Sequence, residues 1–187
     1  YLGTKDLPAD MYFGCLDGDW NADHDKIFGE GGPVDQTDLF QEVYTGRLPA
    51  VSAASANIMI NKVMSYETPA DPSYTGTALL LAEVLFPTDW DGSGPITQDG
   101  ASIAEFAYAL ALDDPALTVA RLYENNVPYG VTPETRAATL AALNAGVDHV
   151  NHVGHGFRFN MSVGDGSVVN PDADVLTNTD RYSNLYL

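Results

Sequence analysis

The feature that most limits how this chain folds is a short, unbroken apolar run, Thr77-Ala-Leu-Leu-Leu-Ala-Glu83. The run has the length of a β-strand and lacks the polar alternation of a sheet with one face in water. Continuous apolar strands are typical of parallel sheets that are covered on both faces. The run therefore predicts a buried parallel strand, and with it an α/β protein.

The segments that follow this run alternate between helix and strand patterns. We expect helices at residues 101–112 and 132–144, and strands at residues 117–123, 147–153 and 185–187. This alternation predicts a three-layer α/β/α sandwich around a mostly parallel sheet. Residues 157–171 are predicted as loop or hairpin, and residues 172–177 as a helical turn.

The start of the helix predicted at 132–144 has a strong local signal. Thr132 is predicted as its N-cap, Pro133 as its first residue and Glu134 as an acid in its first turn. Gly146 is well placed to end this helix after Asn144.

The chain before the apolar run has a different character. Residues 1–46 are rich in Asp and Gly and predict loop, with a short strand at 42–47. Residues 51–67 carry a helical apolar stripe with Ser52 as the predicted N-cap. The breaker Thr68-Pro-Ala-Asp-Pro72 follows, and we divide the chain there into residues 1–70 and 71–187.

The charge balance excludes some classes of partner. Eight basic residues face 26 acidic ones, for a net charge of −18. Nucleic acids and anionic membranes are recognised through Lys and Arg, so neither is an expected partner. No apolar run is long enough to span a bilayer. Most of the acids are aspartates, which suggests calcium and an extracellular or salty setting.

The densest acidic segment runs from Asp17 to Glu30. Its oxygen-bearing side chains recur at alternate positions, and a later glutamate closes the series, as in an EF-hand loop. His24 replaces the usual glycine and no helix pair flanks the loop, so a true EF-hand is not expected. We still predict a structural calcium site, with these ligands: Asp17, Asp19, Asn21, Asp23, Asp25 and Glu30. The competing interpretation is a solvated acidic turn.

Two polar side chains follow predicted parallel strands at the edge where α/β sheets place their ligands. Glu83 ends the apolar run, and His155 follows the strand at 147–153 between two glycines. A histidine exposed on such a turn is suited to act as a general base or acid. The amide of Gly156 is placed to donate to an oxyanion. A turn histidine without a role is the competing interpretation.

Three histidines lie close together in sequence, which raises the question of a zinc site. His149 and His155 can share one face of a strand, but His152 points to the other. We therefore favour structural roles for His149 and His152, and keep zinc as the minor alternative.

Several of these segments, taken in order, resemble the gingipain-type cysteine peptidases of the caspase-like clan. The resemblance spans nearly the whole chain, and its quoted segments are Asp17-Gly-Asp-Trp-Asn-Ala-Asp23 with Ile27-Phe-Gly-Glu30, Glu42-Val-Tyr-Thr-Gly-Arg-Leu-Pro49, Asn61-Lys-Val-Met-Ser-Tyr-Glu67, Val131-Thr-Pro-Glu134, Val150-Asn-His-Val-Gly-His-Gly156 and Leu176-Thr-Asn178. No single segment is specific, but their joint occurrence is.

The resemblance implies a caspase-like or gingipain-like fold and a role for each matching residue. His155 would be the catalytic histidine, Gly156 would supply an oxyanion-hole amide, and Glu83 would orient the histidine. Residues 71–187 would form the catalytic-histidine subdomain, and residues 1–70 the end of the subdomain before it. The family also uses an acid in the loop after the first strand to select basic substrates, and Asp89, Asp91 and Asp99 are open candidates.

The nucleophile is the main departure from the family pattern. The family places its cysteine a few residues beyond Asn184-Leu-Tyr-Leu187, so we expect it outside these 187 residues. The lone Cys15 is far from that strand and is expected to be structural. The expected partners are a peptide or protein substrate and the remaining segments of the same peptidase. The 187 residues alone are expected to be inactive.

Two functions from different classes remain at this point. The first is part of an extracellular cysteine endopeptidase, secreted or on the cell surface, with a Cys–His pair. The second is a non-catalytic, calcium-stabilised α/β module, a degenerate peptidase kept for binding or surface assembly. Reaction with a thiol-directed peptide inhibitor separates them.

Overall fold

A computed structural model describes residues 10–31 and 33–186, excluding the side chain of Tyr186. The chain forms two compact units, one up to Met59 and one from Ile60. This boundary lies inside a helix, whereas the division at residue 70 stays a prediction. The described helices are too short or too polar to cross a membrane.

The regular elements are numbered in chain order. The α-helices are Met11–Gly14 (α1), Ala53–Glu67 (α2), Gly100–Ala107 (α3), Arg136–Ala145 (α4) and Asn170–Ala173 (α5). The strands are Thr77–Ala82 (β1), Val84–Phe86 (β2), Gln98–Asp99 (β3), Thr118–Tyr123 (β4), Thr132–Pro133 (β5), His149–Val153 (β6), Gly156–Phe157 (β7), Asn160–Val163 (β8), Gly166–Val169 (β9) and Asn184–Tyr186 (β10).

A five-stranded parallel sheet forms the core of the second unit. Its strand order is β10-β6-β1-β4-β5, so the apolar run is the central strand. Leu79, Leu80 and Leu81 are at most 1 % exposed. The predicted buried parallel strand is confirmed, because both faces of β1 are covered.

Helices cover the two faces of this sheet. Leu79 and Leu81 pack with residues of α4 on one face, including Leu143. Leu80 and Ala82 pack with Ala101 and Ala104 of α3 on the other, and Tyr123 joins that cluster. The predicted α/β sandwich is confirmed. The helix predicted at 101–112 ends at Ala107 and continues as a π-type turn to Leu112.

The predicted start of the helix at 132–144, which corresponds to α4, is wrong by one turn. Thr132 and Pro133 instead form β5, paired with Leu122 and Tyr123 of β4. The true N-cap is Thr135, whose hydroxyl oxygen accepts from the Ala138 amide at 3.1 Å. Proline has no amide to donate, but an edge strand tolerates it. Both Thr-Pro-Glu and Thr-Arg-Ala suit a helix start, and strand pairing decides between them.

Other local predictions have mixed outcomes. The helix at 51–67 is confirmed, and Ser52 Oγ accepts from the Ser55 amide at 3.1 Å. The C-terminal stop at Gly146 is confirmed, with a positive φ of 77°. The strand at 42–47 is wrong. Strands need a partner, and no strand in the described part of the chain pairs with it.

The chain after β6 forms a small antiparallel sheet, β7-β8-β9. This confirms the hairpin alternative for residues 157–171. The helical turn lies at Asn170–Ala173 rather than at 172–177. β10 runs parallel to β6, with Tyr186 opposite Asn151. The last predicted residue of that strand, Leu187, lies outside the described residues.

Candidate active site

Glu83 and His155 meet at the carboxyl edge of the sheet. The backbone amide of His155 donates to Glu83 Oε2 at 2.6 Å. The same oxygen lies 3.6 Å from the Nδ1 atom of the imidazole. The His155 side chain is 42 % exposed and the Glu83 side chain 11 %. A buried carboxylate therefore binds the main chain of an accessible histidine and lies close to its ring.

Strand register explains why these two residues meet. Ala82 lies opposite Val153 in the β1–β6 ladder, so the residues after each strand are neighbours. Glu83 also donates its amide to the Val153 carbonyl at 3.0 Å, and its own carbonyl accepts from Gly100 at 2.9 Å. The main chain of Glu83 is thus fixed between β6 and the start of α3.

Gly154 has a steric reason to be glycine. A Cβ atom at this position would lie 2.5 Å from His152 Nε2 and 2.7 Å from Glu83 Oε2. Both distances are well inside van der Waals contact. The glycine before His155 therefore lets the carboxylate approach the main chain.

Two further groups surround His155. The ring of Phe86 meets the imidazole edge to face, with centroids 5.6 Å apart. The carbonyl of His155 accepts from the Ser162 amide at 2.9 Å. Gly156 begins β7 and is exposed, so its backbone lies at the surface beside the imidazole. The arrangement suits proton transfer at an exposed ring whose backbone is held on both sides.

Sequence reasoning missed two acidic residues at this edge. Glu124 directly follows β4, and Glu134 directly follows β5, so each of the three neighbouring strands β1, β4 and β5 is followed by a glutamate. Glu124 directly follows the strand predicted at 117–123, and this position is the signal that would have identified it. For Glu134 the misplaced helix start concealed it.

Burial raises the pKa of both acids. For Glu134, which is 3 % exposed, burial raises the pKa to about 8, with Glu83 and Glu124 adding to the shift. The amide of Gly164 donates to the Glu134 carboxyl group at 3.2 Å, and this hydrogen bond acts to lower the pKa. For Glu124, burial raises the pKa, although the hydrogen bond from the Val84 amide acts to lower it. Glu134 is therefore largely protonated at neutral pH.

Asp99 is engaged within the fold. One of its carboxylate oxygens caps α3 by accepting from Ala101, and the other accepts from Asn125 and Tyr129. Asp91 accepts from Ser93 in an exposed loop. Of the three substrate-selecting candidates, Asp99 already has partners at both oxygens.

The acidic loop lies in the first unit, and three of its predicted ligands come together. Asp23, Asp25 and Glu30 have carboxylate oxygens within 4.8 Å of one another. The pKa of Glu30 is raised by desolvation, then by Asp25 and Asp23. The carbonyl oxygen of the Asn21 side chain is buried without a partner among the described atoms. This donor set fits a hard divalent cation.

A buried residue that the sequence did not single out shapes this loop. Asp35 is 3 % exposed and accepts from the Ala22 amide at 2.8 Å and the Glu30 amide at 2.9 Å. It fixes both ends of the segment that carries the three clustered acids.

The remaining predicted ligands lie elsewhere in the loop. Asp17 groups with Cys15 and Glu42 rather than with the central three acids. Asp19 pairs through its backbone with Gln36. The thiol of Cys15 accepts from the Gly18 amide at 3.2 Å, a local structural contact.

The other two clustered histidines have local partners. His152 is 6 % exposed, and its Nε2 atom meets the Ser162 carbonyl at 2.7 Å. Burial lowers the pKa of His152. His149 lies at the opposite end of β6, 3.6 Å from the Asp148 carboxylate. Among the described residues, neither candidate ligand cluster contains a histidine.

Comparisons with known proteins gave one informative match. The family model described as peptidase family C25 matches residues 2–187. Neither a curated protein nor a solved structure matches the chain significantly.

Proposed function

Since the chain belongs to peptidase family C25, a family of cysteine peptidases, we propose that it is part of an extracellular cysteine endopeptidase whose catalytic histidine is His155. The observation that carries this proposal is the contact of the buried Glu83 carboxylate with the main chain of an exposed histidine. The family membership supplies the reaction class, and the site geometry supplies the residues.

The proposed reaction begins with a thiolate that attacks the carbonyl carbon of a peptide bond. The carbonyl electron pair moves to oxygen, and the Gly156 amide donates to that oxyanion. His155, as imidazolium, gives its proton to the leaving amine when the tetrahedral intermediate collapses. His155 then takes a proton from water, which hydrolyses the acyl-enzyme. Glu83 orients the imidazole throughout.

We place the nucleophile in the complete protein beyond Leu187, on the continuation of β10. Parallel pairing of β10 with β6 supports this placement. Extended by a few residues in the same register, β10 reaches the level of His155, where a cysteine meets the imidazole. The remaining segments of the peptidase are therefore the partners that complete the site, and a peptide or protein is its substrate.

The test uses the full-length protein. We expect hydrolysis of a mixed peptide library and covalent labelling by a thiol-reactive peptidyl inhibitor. His155→Ala should abolish hydrolysis, and Glu83→Gln should lower kcat strongly with little change in KM. His149→Ala is the matched control, because it removes an exposed histidine from the other end of the same strand.

Two outcomes overturn the proposal. Full-length protein that neither hydrolyses peptides nor takes up the inhibitor supports the non-catalytic binding module instead. Equal activity of His155→Ala and His149→Ala assigns the chemistry to another residue.

We further propose that the acidic loop binds calcium through Asp23, Asp25 and Glu30. The unpartnered Asn21 oxygen supports this, because a cation would satisfy it. Of the other predicted ligands, Asp19 and Asp17 belong to the same loop without joining this cluster. A calcium site also suits the proposed extracellular setting, where this ion is abundant.

Calcium titration with thermal unfolding tests the site. Calcium should raise the Tm of the protein, since a ligand that binds only the folded state stabilises it. Asp25→Asn should remove most of that shift, and Asp91→Asn, a change at an exposed loop aspartate in the other unit, should keep it. An unchanged Tm with excess calcium would leave the segment as a solvated acidic turn.

A further inference from the structure

The main chain on both sides of Glu83 is held by one residue, Glu124. The Glu124 amide donates to the Ala82 carbonyl at 2.9 Å. The Glu124 carboxylate accepts from the Val84 amide at 2.7 Å. The residue before Glu83 and the residue after it are thus tied to the same point at the end of β4.

The side-chain bond has a specific structural cause. The β1–β4 ladder ends where Ala82 lies opposite Tyr123, and Val84 begins β2, which pairs instead with β3. Val84 is 3 % exposed, so its amide is shielded from water. A buried amide needs an acceptor, and the Glu124 side chain takes the place of a strand carbonyl.

From this geometry we propose that Glu124 is a positioning residue for the Glu83–His155 pair. The inference rests on the proposed function, because it assigns Glu124 to the catalysis carried out there. Glu83 is the single residue between β1 and β2, so a shift at the Val84 amide moves its carboxylate. That carboxylate oxygen is 2.6 Å from the His155 amide, and the displacement passes directly to the histidine.

The role depends on the reach of the Glu124 side chain and not on its charge. A neutral side chain with a carbonyl oxygen at the same position can still accept from the Val84 amide. A shorter side chain keeps the charge but withdraws the acceptor from the amide. Two conservative variants therefore separate positioning from electrostatics: Glu124→Gln keeps the length, and Glu124→Asp keeps the carboxylate.

The experiment compares the two variants in the full-length peptidase, with rates normalised to the inhibitor-titrated concentration of active sites. We expect Glu124→Gln to retain most of the kcat. We expect Glu124→Asp to lose kcat by on the order of 10- to 100-fold, at nearly unchanged KM, since a misplacement of about 1 Å can cost about 100-fold in other enzymes. Glu105→Asp is the matched control, since Glu105 bonds to Arg121 and Tyr123 in the fold.

A second measurement is independent of activity. The amide proton of His155 reports its short bond to Glu83 in a ¹H–¹⁵N NMR spectrum. Its chemical shift should move in Glu124→Asp and stay in place in Glu124→Gln and Glu105→Asp. This readout tests the inference even if the wild-type protein hydrolyses no peptide, which is the failure of the proposed function.

Equal behaviour of the two variants overturns the inference, and so does a larger loss in Glu124→Gln. Equal kcat near the wild-type value means that Val153 and Gly100 hold Glu83 without help, and an equal loss in both means that the reach of the side chain does not set the role. A larger loss in Glu124→Gln means that the charge of Glu124 acts directly.

Discussion

Replacement of Glu134 by glutamine should change how the stability of the protein depends on pH. Glu134 is buried at the end of β5, and one of its oxygens has no partner among the described atoms. Its pKa is raised by burial to about 8, from 4.5 in the unfolded chain. Between these two values the folded state keeps a proton that the unfolded state releases. The free energy of unfolding of the wild type therefore falls as pH rises from 4.5 to 8.

The size of this effect follows from the pKa difference. One pKa unit corresponds to about 1.4 kcal/mol, so the full penalty has a ceiling of roughly 5 kcal/mol. Entry of water beside an ionised Glu134 relaxes part of it, and we expect about 2–4 kcal/mol. Glutamine copies the protonated acid in shape, and its carbonyl accepts from the Gly164 amide. The variant carries a constant cost of about 1 kcal/mol for a poorly partnered NH₂ group.

The assay is urea unfolding followed by far-UV circular dichroism at several pH values from 5 to 9. The quantity to compare is the free energy of unfolding of Glu134→Gln minus that of the wild type. This difference should rise through the interval from 5 to 8 and level off above it. Glu67→Gln, at an exposed glutamate, should give a flat difference.

A difference for Glu134→Gln that is also flat from pH 5 to 9 would refute the reasoning. It would mean that Glu134 is ionised at neutral pH in the folded protein, with a partner for its second oxygen.

Two further predictions concern other parts of the second unit. Gly154→Ala should destabilise the protein by about 1–3 kcal/mol in thermal or urea unfolding, because its Cβ would lie 2.5 Å from His152 Nε2. The control is Gly166→Ala, which has open space at its Cβ and should cost much less. Equal losses of stability in the two variants would contradict the steric argument. Tyr66 should stay protonated in the folded protein until pH about 12, because burial and its bond to Asp148 raise its pKa. Ultraviolet difference spectra of the wild type and Tyr66→Phe should isolate this titration, and a Tyr66 signal complete by pH 10.5 would contradict it.

The pattern of the sequence was sufficient for the centre of the sheet. Between Thr77 and Glu83 every residue is apolar, which favours a strand covered on both faces. Parallel strands end at one edge, so the pattern of the sequence placed Glu83 and His155 at the same edge of the sheet. Here local pattern and global fold depend on the same quantity, the burial of apolar side chains.

The sequence was less informative where long-range pairing decides the local structure. Thr132-Pro133 has the chemistry of a helix start, but its parallel pairing with two residues of β4 outweighs it. The acidic loop behaves in the same way. Ligand spacing predicted six oxygen donors, and three of them converge in the segment whose two ends are bound by Asp35. Asp35 carries no signal in a linear pattern, because its partners are backbone amides.

One carboxylate oxygen of Glu83 contacts His155 in two ways. It holds the chain in place, through the amide, and it faces the imidazole to which we assign proton transfer. A relative that has lost peptidase activity would therefore still need a glutamate at position 83, since the turn after β6 would still depend on its carboxylate. A glutamate at this position in a relative therefore indicates that the turn is kept. Whether that relative is active must be judged from its histidine and its cysteine.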